Sequence, residues 1–101
     1  MIPRIVNIVS TCSLNISIDM NIAANQLHDV IYNPNKFIGI IMKFRKPKST
    51  VLIFPNGKLV ITGTKTENDG EVIARKTGRR LRKILLKPNI TDFKIQNSFY
   101  S

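Results

Sequence analysis

The chain has 101 residues, with 16 Lys plus Arg against 6 Asp plus Glu, a formal charge of +10 and 43% hydrophobic residues. This length holds one layered core and leaves no room within it for two independently folded domains, and the apolar fraction excludes a disordered basic tail. That much positive charge on a folded body points to a polyanionic partner, with nucleic acid ahead of lipid headgroups and acidic proteins.

Arg4 to Leu14 alternates, with Val6, Ile8, Cys12 and Leu14 on one side and Asn7, Val9 and Thr11 on the other, which predicts a strand. Asp19 is an expected N-cap for an amphipathic helix running to about Ile31, with Met20, Ala23, Ala24, Leu27 and Ile31 as its apolar stripe. Asn33-Pro34 breaks the helical pattern. Phe37 to Arg45, Ser49 to Phe54 and Lys58 to Thr64 then read as a three-strand meander, its second turn a three-residue loop at Pro55-Asn56-Gly57. Thr66-Glu67-Asn68-Asp69 resembles a capping box and opens a helix to about Leu85. Ile73, Thr77, Leu81 and Ile84 are its expected buried stripe, and Arg75, Arg79 and Arg82 its outer face. Pro88 stops that helix, and Asp92 to Tyr100 is the last expected strand.

The expected fold class is therefore α+β: a five-stranded antiparallel sheet with both helices on one face. Val6, Ile8, Ile38, Ile40, Met42, Phe44, Val51, Ile53, Leu59 and Ile61 are assigned to the helix side. The other face collects Asn7, Val9, Thr11, Phe37, Gly39, Ile41, Leu52, Phe54, Val60 and Thr62, which is apolar or short and polar and uncharged over most of its extent. A solvated sheet face ordinarily carries charge. Here the cations Lys36, Lys43, Arg45, Lys48, Lys58 and Lys65 fall at strand ends and turns, so they surround an uncharged platform of the kind that marks a binding surface.

The DNA minor groove is complementary to such a surface, with a weakly coded floor between two rows of phosphates. Asn7 is placed to donate to acceptors shared by A·T and T·A pairs. Val9, Val60 and Thr62 would exclude the extra amino group of guanine, and Phe37 with Phe54 would wedge a base step in bendable, A·T-rich DNA. Two phenylalanines in apolar strands more often pack inside a core, and that alternative stands beside the wedge.

Asn7-Ile8-Val9-Ser10-Thr11, Tyr32-Asn33-Pro34, Phe37 through Met42, Leu52-Ile53-Phe54, Gly57-Lys58, Thr62-Gly63, Ala74-Arg75-Lys76 and Asp92-Phe93-Lys94-Ile95-Gln96-Asn97 together resemble the TATA-box-binding protein family, a standard example of minor-groove binding. The resemblance covers essentially residues 1–101 as one repeat of a two-repeat saddle, with residues 92–101 similar to the strand that leads into a second repeat. It implies a curved half-saddle with the helices on the convex face. It also implies base-edge contacts from Asn7, Val9, Leu52, Val60 and Thr62, intercalation by Phe37 and Phe54, and phosphate contacts from Lys36, Lys43, Thr50, Asn56 and Lys58. Asn97 would be a DNA contact of a second half, and Lys76, Arg79 and Lys83 would form a docking helix for general transcription factors and the RNA polymerase machinery. The implied role is a nuclear transcription initiation factor, or one acting in a viral transcription compartment. Two copies pairing through their end strands would complete a saddle.

Departures from the family pattern are lysine rather than arginine at 36 and 43, which turns bidentate phosphate grips into point charges. Asn56 stands for a common serine, Lys46 for a glutamate and Thr77 for a tyrosine.

An enzyme is not expected, since one histidine, no paired carboxylates and no phosphate-cradling glycine loop leave no catalytic set. The lone Cys12 excludes an internal disulfide, and no metal or other cofactor is expected. The opening Met1-Ile2-Pro3-Arg4 lacks the apolar run of a signal peptide, and no segment reaches the roughly 20 apolar residues of a membrane span, so no membrane partner is expected. The alternatives are a non-catalytic interaction module that binds transcription factors without specific DNA recognition, and a substrate-positioning domain of a nucleic-acid-processing enzyme.

Overall fold

The computed structural model describes residues 6–85 and 91–100, with side chains for residues 8–85. The element order is β1 (Val6–Ser13), α1 (Met20–Gln26), β2 (Val30–Ile31), β3 (Ile40–Arg45), β4 (Lys48–Ile53), β5 (Lys58–Thr64), α2 (Glu67–Arg82) and β6 (Thr91–Tyr100). All strands join one antiparallel sheet in the order β2-β3-β4-β5-β1-β6. The five expected strands are present, and the two-residue β2 extends the sheet at one edge. Of the first strand's expected range, Arg4 and Ile5 lie outside the described residues, as does Pro88 beyond α2.

Strand alternation determines which face the helices cover. Ile40, Met42, Val51, Ile53, Leu59 and Ile61 are fully buried and Cys12 and Phe44 nearly so, in one cluster with Met20, Ala23 and Leu27 of the α1 segment and Ile73, Ala74 and Leu81 of α2, and Ile8 is buried as well. Each of the larger aliphatic and aromatic side chains gains on the order of 1.5–3 kcal/mol from leaving water, so the whole set commits this face to the helices. The side chain of Val6, assigned to the same face, is outside the described ones. Burial also pushes the Cys12 thiol up to about 12, which keeps it protonated and unreactive as a nucleophile.

Three expectations are corrected. The helix expected to reach Ile31 ends at Gln26, where the Leu27 N–H donates to the Ala23 carbonyl. Asp29 then takes a left-handed φ of 58°, and Val30 and Ile31 pair with Met42 and Ile41. Two β-branched residues gain more from a cross-strand ladder than from another helical turn. The strand expected from Phe37 starts at Ile40, because the Pro34–Lys36 turn, closed by the Lys36 and Phe37 N–H groups on the Asn33 carbonyl, delays entry into the sheet. Ile38, assigned to the core by extending the alternation backwards, is consequently 58% exposed.

Helix α2 starts where the sequence places it, with Thr66 Oγ1 accepting from the Asp69 N–H at 3.0 Å. Glu67 and Asp69 occupy its first turn and Arg79, Arg80 and Arg82 its last, the order its dipole favours. The helix stops at Arg82, so Ile84, expected in the buried stripe, is half-buried beyond its end. Thr77 satisfies its buried hydroxyl by donating to the Ile73 carbonyl at 2.8 Å.

Two glycines permit the turns that aim the strands. Gly57, at φ 85°, closes the three-residue loop by donating to the Phe54 carbonyl, while the Phe54 N–H donates to Lys58. The loop is held against the segment leading to α1 by Leu14 N–H to the Gly57 carbonyl and Ile18 N–H to the Pro55 carbonyl. Gly63, at φ 86°, sits in a β-bulge where Ile8 faces Thr64 but Ser10 faces Ile61.

A Cβ on Gly57 would lie 2.2 Å from the Ile16 carbonyl oxygen in a backbone conformation that L side chains disfavour. Gly57→Ala should therefore lower unfolding stability by more than about 2 kcal/mol, measured by denaturant melts. The Ser10 and Thr64 hydroxyls are buried without a hydrogen-bond partner. Thr64→Val, which keeps the shape and removes the unpaired group, should stabilise the fold by about 1 kcal/mol in the same assay.

Candidate nucleic-acid interface

The sheet face opposite the helices is uncovered, and its register assembles a continuous row. Ile31 pairs with Ile41, Ile41 with Leu52, Leu52 with Val60, and Val60 with Thr11. Directly paired residues project to the same side, so this row crosses the open face from β2 to β1. Ile41, Leu52, Val60 and Thr11 are half-buried by their neighbours in the sheet. A second row holds Lys43, Thr50 and Thr62, where the Thr62 hydroxyl donates to the Thr50 carbonyl at 3.5 Å. Val9 is also half-buried on this side of β1.

Phe37 and Phe54 belong to this face and are absent from the buried core cluster. Their rings meet edge to face, with centroids 5.7 Å apart and planes at 74°. Phe54 enters from the end of β4 and Phe37 from the irregular segment before β3, so the pair stands where the sheet gives way to turns. Gly39 makes room for it: a Cβ there would come within 2.7 Å of Phe37 Cε2 and 3.2 Å of the Ile53 carbonyl oxygen. Beside the pair, Ile38, Phe54, Pro55, Asn56, Lys58 and Val60 line a shallow, mainly apolar groove of about 470 Å³. Ile38 is the groove-lining residue that sequence reading assigned to the core, and the available signal was Gly39, which interrupts the strand pattern between it and Ile40.

Lys36 lies in the Pro34–Lys36 turn, Lys43 on β3 and Lys58 at the start of β5, all exposed at the margin of the face. Thr50 is half-buried. Asn56 Oδ1 accepts from the Lys58 N–H at 3.0 Å, so this side chain braces the loop that carries Lys58. The side chains of Asn7 and Asn97 lie outside the described ones, while their backbones pair in the β1–β6 ladder. There Val9 faces Asn97 and Asn7 faces Phe99, so Asn7-Ile8-Val9 and Asn97-Ser98-Phe99 run past each other about a local dyad. Lys76 is half-buried on α2, with Arg79 and Lys83 exposed near its end, all on the helix side of the sheet and away from the open face. Among the described residues, no group of three or more His, Cys, Asp or Glu side chains gathers as a metal site, and no helix is long and apolar enough to cross a membrane.

Fold and face together define an α+β half-saddle whose helices occupy one side of the sheet and leave the other open. A family model described as transcription factor TFIID, or TATA-binding protein, matches residues 2–84. The TATA-box-binding proteins of Saccharomyces cerevisiae and Schizosaccharomyces pombe are 42% and 41% identical to the chain over 97 residues, each match covering 96% of it and 40% and 42% of those proteins. The solved structure of Methanococcus jannaschii TBP superposes with a TM-score of 0.75 at 33% identity, covering 78% of this chain and 47% of that one. The chain belongs to the TATA-binding-protein family, and it spans about two fifths of the length of the curated relatives it matches.

Gly39→Ala should displace the Phe37 ring and abolish its contact with Phe54, at a cost of about 1 kcal/mol for the lost edge-to-face pair. The loss of ring-to-ring nuclear Overhauser effects, with the far-ultraviolet circular dichroism unchanged, is the expected readout.

Proposed function

We propose that this chain acts as a DNA-binding transcription initiation factor that lays its open sheet face in the minor groove of A·T-rich, TATA-type promoter DNA. The observation that carries the reading is the uncharged row from Ile31 to Thr11, bordered by lysines and ending beside the Phe37–Phe54 pair, in a member of a transcription-factor family. Val9, Leu52, Val60 and Thr62, with Asn7, face the base edges. Phe37 and Phe54 enter a base step and bend the duplex. Lys36, Lys43 and Lys58 hold phosphates, with Thr50 and Asn56 beside them. Unstacking a step costs a few kcal/mol, which the enlarged contact with bent DNA offsets.

Lys76, Arg79 and Lys83 on the helix side dock general transcription factors and the polymerase machinery, which leaves DNA and protein partners on opposite sides of the sheet. The nucleus is the proposed site of action, Saccharomyces cerevisiae and Schizosaccharomyces pombe, the sources of the two curated relatives, being eukaryotes. Residues 1–101 form one repeat, and residues 92–101 stand for the first strand of a second, a role the β1–β6 dyad register supports. The ten-residue β6 at the sheet edge gives a second copy a strand to pair with, forming a homodimeric saddle. One half-saddle buries only on the order of 600–1,000 Å² on DNA, so doubling the contact matters for affinity at physiological salt.

Gel-shift titration of an A·T-rich promoter element should show at least about tenfold weaker binding for Phe37→Ala plus Phe54→Ala, as expected for losing aromatic contacts each worth about 1–3 kcal/mol. Lys36→Gln plus Lys58→Gln should flatten the dependence of log affinity on log salt by about 2. Sedimentation of the same complexes reads their stoichiometry, and two chains per duplex is the expected result. Wild-type affinity in the double phenylalanine variant would overturn the groove-insertion reading and favour a module that binds only transcription factors.

A further inference from the structure

On the helix side of the sheet, a concave cavity of about 570 Å³ opens between the β3–β4 hairpin and the second half of α2. Lys43, Arg45 and Lys46 of the hairpin line it, with strand alternation directing the Lys43 and Arg45 side chains toward the open face. Helix α2 brings Lys76, Arg79, Arg80 and Lys83, and the one carboxylate in the lining is Asp29. The α2 dipole favours cations near its last turn, which accounts for Arg79, Arg80 and Lys83, yet Arg82 gains the same benefit without lining the cavity. The dipole does not account for Lys46, which the hairpin turn places against the helical cations. Like charges so gathered repel unless an anion lies among them. The one ion pair among the described residues, Arg75 with Glu71 at 3.7 Å, is outside the cavity.

Two of the cationic side chains are held in place. Lys76 Nζ donates to the Lys46 carbonyl at 2.7 Å, tying helix to hairpin across the cavity. The Arg80 guanidinium carbon sits 4.6 Å from the centroid of the Phe44 ring, a cation–π contact. That contact also covers the one aromatic side chain in the lining, and Phe44 is itself only 7% exposed, which leaves no ring free to stack on a nucleobase. Guanidinium forks and ammonium points are the donor set that phosphate oxygens accept from. The cavity has the size of a small-molecule site and suits a compact ligand rather than a rod such as duplex DNA.

We propose that this cavity is a binding site for a free, compact oligophosphate, recognised through its phosphate groups without reading a base. The site opens on the helix side of the sheet, where it shares Lys76, Arg79 and Lys83 with the proposed protein-docking surface, and does not depend on minor-groove binding. The same cluster of phosphates could be carried on a protein side chain or a lipid headgroup; the free chain is favoured because the concavity is closed on two sides by hairpin and helix.

Isothermal titration of the full chain with tripolyphosphate, with adenosine triphosphate, and with vesicles bearing a phosphorylated inositol headgroup tests this at constant ionic strength. Tripolyphosphate and adenosine triphosphate should bind with similar affinity, and the vesicles more weakly. Lys46→Gln plus Arg79→Gln, one cation from each wall, should weaken both soluble ligands by at least about tenfold, the loss expected for two charge-assisted contacts. The charge-matched Lys65→Gln plus Arg82→Gln, outside the cavity, should stay within about twofold of wild type, as screened surface charges do. Lys46→Gln plus Lys83→Gln gives the same reading if the first pair perturbs folding. Equal losses in the cavity and control variants, tighter binding to adenosine triphosphate or to vesicles than to tripolyphosphate, or no heat with any ligand would overturn the proposal.

Discussion

The structure depends on the period of two in its strands, which divides one sheet into two surfaces of different fate. Every second residue of β3, β4 and β5 is withdrawn from water against two helices, and the chain has no third helix among the described residues to cover the residues between. A one-residue slip in any of these strands would exchange the two sets. The apolar contacts of the core therefore hold the open face in register at the same time as they stabilise the fold. Gly57 and Gly63 take part in this by allowing a tight loop and a bulge that keep β5 aligned with both β4 and β1.

The open face is unusual for what it lacks. Its crossing row is made of isoleucine, leucine, valine and threonine; Lys36 and Lys58 near it lie at a turn and a strand start, and Lys43 is the charged residue within a strand of this face. Desolvating such a row against a ligand costs little, whereas burying a charge there would cost several kcal/mol unless it were paired. The Phe37–Phe54 pair adds a rigid feature to one end, held by mutual packing and by the room that Gly39 leaves. Charge is kept apart from apolar contact area, and each can then meet a different part of the same ligand.

A second group of cations is gathered on the other side of the molecule, where the hairpin and α2 meet. The +10 chain thus carries two cationic regions of different shape, a sparse margin around a platform and a dense lining around a concavity. Electrostatic attraction to polyanions acts over the whole surface, but shape separates what each region can hold. Lys43 is shared: it is paired with Thr50 on the open face and also lines the concavity.

Much of this was legible in the linear order of residues. Alternation in β1, β4 and β5, the Asn-Gly loop, the Thr66 cap and the uncharged set Val9, Leu52, Val60 and Thr62 follow from local stereochemistry and from polarity, which each residue carries with it. The residue motifs likewise carry the family resemblance in the linear sequence. What only tertiary structure decided concerns residues whose local preference is contradicted or left open by their neighbours. Val30 and Ile31 leave the helical pattern because β3 has an edge to pair with, and Ile38 leaves the core because a turn at Pro34 delays the strand. Arg80 on Phe44 and Lys76 on the Lys46 carbonyl join positions more than 30 residues apart or on separate elements, contacts that exist only once the helix has packed against the sheet. Periodicity assigns a side chain to a face, but the meeting of two faces is a property of the folded chain.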